Sequence, residues 1–204
     1  MSENAAAWDT AFARPERRWE SGEPWDELQS IAREGLVKPC RVLELGCGSG
    51  VDAVFLATQG FEVTAFDISK LAIEQAQGRA SKVAVSVGFF QADVFQLPEL
   101  GPPFPFVFDR GLYPQVRKLN LEGFREVLAR VTQPGSLYLT MAPNAQVGDP
   151  SRRPPQALSA DGLYREFSPL FDLVRLHECM VKMTTQQEHL VWSALLRRKS
   201  SSPQ

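Results

Sequence analysis

Residues 41–50, Arg-Val-Leu-Glu-Leu-Gly-Cys-Gly-Ser-Gly, constrain the fold more than any other stretch of the chain. Val42, Leu43 and Leu45 form a short apolar run that stops at glycine, the mark of a buried strand. Gly46, Gly48 and Gly50 then alternate. Glycine reaches backbone angles closed to other residues and lets a ligand approach the chain without a side chain in the way. Beyond Gly50 the pattern turns helical, with Val51, Phe55 and Leu56 on one face and Gly60 as C-cap. Strand, glycine turn and helix in succession are how an open α/β sheet builds a ligand crevice at the carboxyl ends of its strands.

Spacing narrows the choice of ligand. Counted from Gly46, the dinucleotide fingerprint G-x-G-x-x-G would need glycine where Val51 stands, which disfavours a nicotinamide oxidoreductase. No Gly-Lys-Ser/Thr ending follows to make a phosphate loop. Glu44 lies ahead of the turn, and Asp67 ends the next strand, 61–67. Glu-Leu-Gly-Cys-Gly-Ser-Gly with that later acid resembles motif I of the class I S-adenosylmethionine-dependent methyltransferases. The resemblance implies S-adenosylmethionine as cofactor and S-adenosylhomocysteine as product, with Glu44, Gly46, Cys47, Gly48, Asp67 and Ile68 at the binding turn. A carboxylate at Asp67 can accept hydrogen bonds from both ribose hydroxyls; its alternative role is to cap the helix that starts after Ser69. Asp93 follows the third strand, where the resemblance puts an acid that accepts from the adenine amino group, with the Val94 backbone N–H beside it. A plain turn is the alternative for Asp93. Asp52, in the first turn of the helix after Gly50, suits the helix dipole with or without ligand and is read as structural.

The rest of the chain alternates strand and helix, which predicts a parallel sheet with crossover helices. Pro24 opens a helix with Trp25, Leu28, Ile31 and Ala32 on one face, ending at Gly35. Ser69 caps a second helix through Leu71, Ile73 and Ala76 to Arg79. Strands are expected at 85–91, 104–108 and 136–141, and Asn120 is expected to cap a helix carrying Phe124, Val127, Leu128 and Val131. A short helix from Ser159 carries Leu163 and Phe167, and two long strands, 172–182 and 187–197, meet at the polar turn Thr184–Gln187 as an antiparallel hairpin. The expected class is α/β: a Rossmann-like, seven-stranded, mostly parallel sheet with a C-terminal antiparallel hairpin and helices on both faces. The expected organisation is an N-terminal lid over 1–24, a methyltransferase domain over 25–199 and a disordered tail over 200–204.

The N-terminal segment is polar and interrupted by Pro15, Gly22 and Pro24, yet it holds Trp8, Phe12 and Trp19, so it packs onto something. Trp19 to Trp25, with Asp109-Arg110-Gly111 after the fourth strand, resembles the thiopurine/thiol/halide branch of the same family. The branch implies that a Trp-containing segment folds over the cofactor, with Trp19 or Trp25 against the sulfonium; a cation is attracted to an aromatic face. For Trp25 the core-facing start of the first helix is an equal alternative. Asp109 joins the cofactor set by the same resemblance, and Arg110 matches an Arg near the cofactor carboxylate or an anionic substrate, where a guanidinium is apt. A salt bridge to Asp67, Asp93 or a loop acid is its other reading. Many members continue with Cys-Phe-His; here Leu112-Tyr113-Pro114 stands instead, which removes a histidine and puts Tyr113 near the reacting centre. Arg110 and Tyr113 are the candidate catalytic residues.

Composition limits the partners. A chain of 204 residues with 44% apolar and 23% charged residues has core enough for one domain, and its net charge of −2 offers no basic surplus for nucleic acid or an anionic membrane. Arg14–Arg18, Arg152–Arg153 and Arg197–Lys199 read as solvated surface. Cys40, Cys47 and Cys179 lack Cys-x-x-Cys spacing and read as reduced thiols with no metal site; His177 and His189 read as sheet residues. The N-terminus has no signal-peptide pattern, so a cytoplasmic monomer acting on a small molecule is expected. The loop Pro150–Pro155 falls where relatives place a substrate lid. The expected activity is in-line methyl transfer to a thiol. A small-molecule O-methyltransferase or a tellurite-resistance-type detoxifying enzyme is the alternative, and a non-catalytic cofactor-binding regulator the alternative of another class.

Overall fold

In the computed structural model, residues 3–17, 19–145, 157–182 and 188–200 are described. The loop Pro150–Pro155, the hairpin turn Thr184–Gln187 and residues 201–204 of the expected tail lie outside them. The chain divides into two compact units, Met1–Glu99 with Lys182–Gln187, and Leu100–Val181 with Glu188–Gln204.

The first unit holds helices α1 (Glu3–Phe12), α2 (Asp26–Arg33), α3 (Val51–Thr58) and α4 (Lys70–Lys82), and strands β1 (Arg41–Leu45), β2 (Glu62–Asp67) and β3 (Gly88–Gln91). β1 and β3 both pair with β2 in parallel, Leu45 opposite Phe66 and Asp67 opposite Gln91. This register brings the carboxyl end of β1 level with that of β2, so the glycine turn and Asp67 emerge side by side. Val42, Leu43 and Leu45 are fully buried, as their apolar run requires. Ser69 caps α4 as expected, its Oγ accepting from Ala72 N at 3.1 Å. α4 runs on to Lys82, and the chain then turns through Ala84 at φ +55 with Val85 N–H still given to Ala80 O. That unwinding delays the third strand, which starts at Gly88 rather than at 85. The larger departure is α1. The N-terminal segment is helical over ten residues, and Trp25 is the N-cap of α2 rather than its first turn.

The second unit holds β4 (Phe106–Asp109), α5 (Tyr113–Val131), β5 (Leu137–Pro143), α6 (Ala160–Phe167), β6 (Phe171–Lys182) and β7 (Glu188–Arg198). β4 and β5 are parallel, β5 and β7 antiparallel, with Leu137 opposite Arg197. β7 lies between β5 and β6. The chain therefore forms the seven-stranded, mostly parallel α/β sheet expected, with the order reversed in sense at its C-terminal strands. α5 begins seven residues before the expected cap: Tyr113 opens it, with Pro114 in the first turn. Asn120 still caps the part of the helix beyond it, its Oδ1 accepting from Gly123 N at 2.9 Å where the backbone breaks to φ −161, ψ 87. The helix is two segments joined at a kink. Ser159 caps α6 by accepting from Gly162 N at 3.0 Å. Around Tyr138 an aromatic core assembles: its ring centroid is 5.5 Å from Phe167 and 5.7 Å from Phe171, and Tyr113 is 4.7 Å from Phe167. Among the described residues no helix is long and apolar enough to cross a membrane.

Candidate functional site

The glycine turn takes the backbone conformations its sequence demands. Gly46, Gly48 and Gly50 stand at φ +73, +53 and +76, a region that costs an L side chain about 1–2 kcal/mol. Gly46 N and Cys47 N both donate to Phe66 O, at 2.8 and 2.9 Å, which ties the turn to β2. Gly50 N–H closes it on Cys47 O at 3.0 Å, and Gly50 then serves as N-cap of α3. Glu44 and Cys47 are buried at the base of the turn. Burial, with the charges of Glu44 and Asp67, pushes the Cys47 thiol well up, so it stays protonated.

Asp67 is joined to the turn directly. Its Oδ2 accepts from Gly48 N at 2.8 Å and its Oδ1 from Ser69 N at 2.9 Å. Burial raises its pKa, against the lowering effect of the Ser69 and Gly48 N–H groups. The following Ile68 gives its carbonyl to Gln91 Nε2 at 3.1 Å. After β3, Asp93 caps a short 3-10 turn, Val94–Gln96, by accepting from Phe95 N at 3.0 Å, and Val94 is buried beneath it. Glu44, Gly46, Cys47, Gly48, Asp67, Ile68, Asp93 and Val94 thus all sit at strand ends or the turns beyond them in the first unit.

The N-terminal segment lies against this turn. A Cβ placed on Gly48 would stand 3.4 Å from Phe12 Cζ. Phe12, Trp8 and Trp19 form a triangle of rings with centroids 5.7–6.3 Å apart, Phe12 buried and Trp19 the most exposed. Trp25 is elsewhere: buried, with its backbone N–H donated to Asp52 Oδ1 at 2.7 Å. Asp52, in the first turn of α3, thus anchors the N-terminus of α2. That this segment packs was expected from its aromatics; its ring contact on Gly48 and its polar anchors, Asp9 to Ser69, Arg17 to Gln75 and Glu20 to Arg79, were not. The spacing of Trp8 and Phe12, four apart beyond an alanine run, was the available sign that a helix presents both rings on one face.

In the second unit, Asp109 is fully buried and its oxygens have protein donors: Tyr113 N to Oδ1 at 2.9 Å and the Tyr138 hydroxyl to Oδ2 at 2.5 Å. Burial pushes its pKa up to about 6 despite those bonds. The carboxylate holds the first turn of α5 through the Tyr113 N–H and is fully buried. Tyr113 is buried in the aromatic core of the second unit. Its hydroxyl donates to Glu166 Oε2 at 2.6 Å inside the aromatic core, and burial with that bond raises its pKa far beyond neutral. The reason for its burial is the unforeseen start of α5, which turns Tyr113 under the helix. Arg110 is half-buried between Asp109 and Gly111, the latter at φ +91. Among the described residues, no three His, Cys, Asp or Glu side chains are grouped so as to hold a metal ion. Cys40, Cys47 and Cys179 form no disulfide.

The turn, β1 from Val42 onward, α3, β2 and α4 fall within residues 42–135, which match the family model described as a methyltransferase domain. Over this stretch the chain is similar to the methyltransferase domain family. Among relatives, the chain is similar to a 2-heptyl-1-hydroxyquinolin-4(1H)-one methyltransferase of Mycobacteroides abscessus, 28% identical over 63% of this chain and 56% of that protein. The match thus spans just over half of that relative's length. It is also similar to "Probable thiol methyltransferase 2" of Arabidopsis thaliana, 27% identical over 83% of this chain and 75% of that one. Among solved structures, one described for the conversion of a disulfide bond into a thioacetal group during echinomycin biosynthesis superimposes with TM-score 0.84 at 24% identity, covering 98% of this chain and 95% of the other. The N-methyltransferase NodS of Bradyrhizobium japonicum, in complex with S-adenosylhomocysteine, gives 0.75 at 13% identity over 98% and 100%. Both share the Rossmann-like α/β fold of this chain.

Proposed function

We propose that the protein transfers a methyl group from S-adenosylmethionine to a small molecule, with a thiol sulfur as the acceptor. The observation that carries the reading is the left-handed glycine turn locked to Asp67 through the Gly48 N–H. A carboxylate offers about four acceptor sites. Gly48 and Ser69 use one on each oxygen of Asp67, which leaves capacity for the two ribose hydroxyls. Gly46, Cys47, Gly48 and Glu44 would line the methionine end, and Asp93 with the Val94 and Ile68 backbone the adenosine end. Trp19, in its ring triangle with Trp8 and Phe12, suits the cationic end of the cofactor; Trp25, capping α2, is left to structure. Arg110 would meet a carboxylate, either the cofactor's or the acceptor's.

When bound, S-adenosylmethionine supplies a methyl group on a sulfonium, open to in-line displacement. The chain's residues then have two tasks, to fix that group and to align the acceptor behind it. Alignment alone supplies up to about 7–11 kcal/mol of a barrier. Tyr113 and Asp109 serve the core of the second unit on this reading, so neither is assigned a proton transfer. A thiol needs none at its own site, since partial ionisation near neutral pH makes it nucleophilic. The thiol methyltransferase relative, matched over most of both chains, supports the same acceptor. An oxygen acceptor is the second reading, favoured by the relative named for a hydroxyquinolinone. Incubating the protein with S-adenosylmethionine and matched pairs of small thiols and hydroxyl compounds, and measuring S-adenosylhomocysteine, separates them. Turnover confined to thiols is expected; turnover only with hydroxyl acceptors selects the second reading, and cofactor binding without turnover on any acceptor points to a regulator.

A further inference from the structure

Asp9 lies in α1, remote in sequence from the glycine turn, yet it sits at one end of a chain of hydrogen bonds that finishes there. Its Oδ1 accepts from Ser69 Oγ at 2.5 Å and from Leu71 N at 3.1 Å. Ser69 has no exposed surface, and its hydroxyl oxygen is already occupied as the cap of α4, accepting from Ala72 N. Its proton goes to Asp9. The Ser69 backbone N–H in turn donates to Asp67 Oδ1, and Asp67 Oδ2 accepts from Gly48 N. Removing the Asp9 carboxylate would leave a buried hydroxyl donor and the Leu71 N–H without their acceptor, at the residue two places after the ribose-facing acid.

From this geometry we propose that Asp9 is a positioning residue of the cofactor site, acting through Ser69 on Asp67. The proposal rests on the reading that places the ribose at Asp67. It makes α1 a fixed wall of the site. The Ser69 hydroxyl and the Leu71 N–H hold the Asp9 carboxyl below the usual carboxylate range, so it stays an ionised acceptor at neutral pH. Further along, the same segment is fastened to α4 independently. Arg17 donates to Gln75, and Gln75 Nε2 donates to Phe12 O at 3.3 Å. Glu20 accepts from Ser49 and lies 3.9 Å from Arg79, which donates to Ser49 O at 3.0 Å. Among the described residues, three attachments to α4 and its cap, through Ser69, Gln75 and Arg79, hold the segment, and the one through Ser69 leads by hydrogen bonds to Asp67.

That difference supplies the test. Calorimetric titration with S-adenosylhomocysteine is carried out on the full chain and on Asp9→Ala, Asp9→Asn, Ser69→Ala and Gln75→Ala, with the melting temperature of each. Asp9→Ala should weaken binding about tenfold, the loss expected when a hydrogen bond from a buried donor to a charged group is broken. Both donors use the same oxygen of Asp9, so Asp9→Asn keeps an acceptor for each and should restore affinity to within about twofold. Gln75→Ala loosens the same segment and should lower the melting temperature while leaving affinity within about twofold of the parent. Ser69→Ala should lose as much affinity as Asp9→Ala, and the double variant little more, since both break one chain; this pair stands in if Asp9→Ala does not fold. Unchanged affinity in Asp9→Ala, failure of Asp9→Asn to restore it, an equal loss in Gln75→Ala, or an additive loss in the double variant would each overturn the proposal. Absence of any binding by the unaltered protein would overturn the reading of the turn itself.

Discussion

Gly48 and Gly50 share a left-handed backbone but differ in what surrounds them. A Cβ on Gly50 would come within 2.7 Å of Ala76 Cβ and 3.0 Å of Ala76 Cα, so α3 and α4 meet here with no room for a methyl group. A Cβ on Gly48 would make an ordinary contact, 3.4 Å, with the Phe12 ring. Both substitutions to alanine carry the backbone penalty, but only Gly50→Ala adds overpacking, worth about 1–3 kcal/mol. Gly50→Ala should therefore be the less stable of the two by about that amount in urea unfolding, while Gly48→Ala, whose N–H is tied to Asp67, should lose more affinity for S-adenosylhomocysteine. Equal stabilities would show that α4 moves aside at Ala76. The turn's role was legible because three glycines in strict alternation after an apolar run leave few other uses. The individual jobs of those glycines were not, because they depend on Ala76 and Phe12, which arrive from other helices.

Helix boundaries were legible wherever a capping side chain marks them. Ser69, Asn120 and Ser159 each accept from the backbone three residues on, as their positions predicted. What the sequence hid were helices without such a mark. α1 starts in a segment that reads as polar, and the first part of α5 begins at Leu112 without a side-chain cap, with only Pro114 as a signal. The start of α5 at Tyr113 is what buries that residue in the aromatic core. Because Asn120 restarts the helix after the kink, its cap bond should matter as it would at a true N-terminus. Asn120→Ala should cost about 1 kcal/mol, read as a lower urea midpoint at unchanged slope, and should leave cofactor affinity unaltered. A neutral result would mean that packing of Phe124 and Leu128 alone sets the second segment, both being fully buried.

For the whole molecule, the parallel sense of the sheet and its antiparallel C-terminal strands followed from the alternation of apolar runs and helices and from the short polar turn at the end of the chain. Electrostatics of the interior was the part the sequence could not carry, since a carboxylate's environment is set by residues that only folding brings together. Asp109 is the clearest case, fully buried beside Tyr138 from β5 and Tyr113 from α5. Its pKa rises from 3.8 to about 6 on folding because burial outweighs the bonds it accepts. The folded state therefore holds this proton more tightly than the unfolded chain. The associated stability is full below about pH 4 and is lost as pH rises through 6, a change of about 3 kcal/mol. Glu166 works in the opposite sense: burial raises its pKa, but Arg117 and Tyr113 bring it below the usual range, so its contribution is lost as pH falls. The net profile mixes both, and a comparison of variants isolates Asp109. Asp109→Asn keeps an acceptor for Tyr113 N and can donate to the Tyr138 oxygen, so the fold should tolerate it. Urea unfolding from pH 4 to 7 should then show the parent losing stability relative to Asp109→Asn as pH rises, by about 3 kcal/mol across the range. Parallel curves would mean that Asp109 ionises inside the fold without penalty, and that its partners, rather than its burial, set its charge.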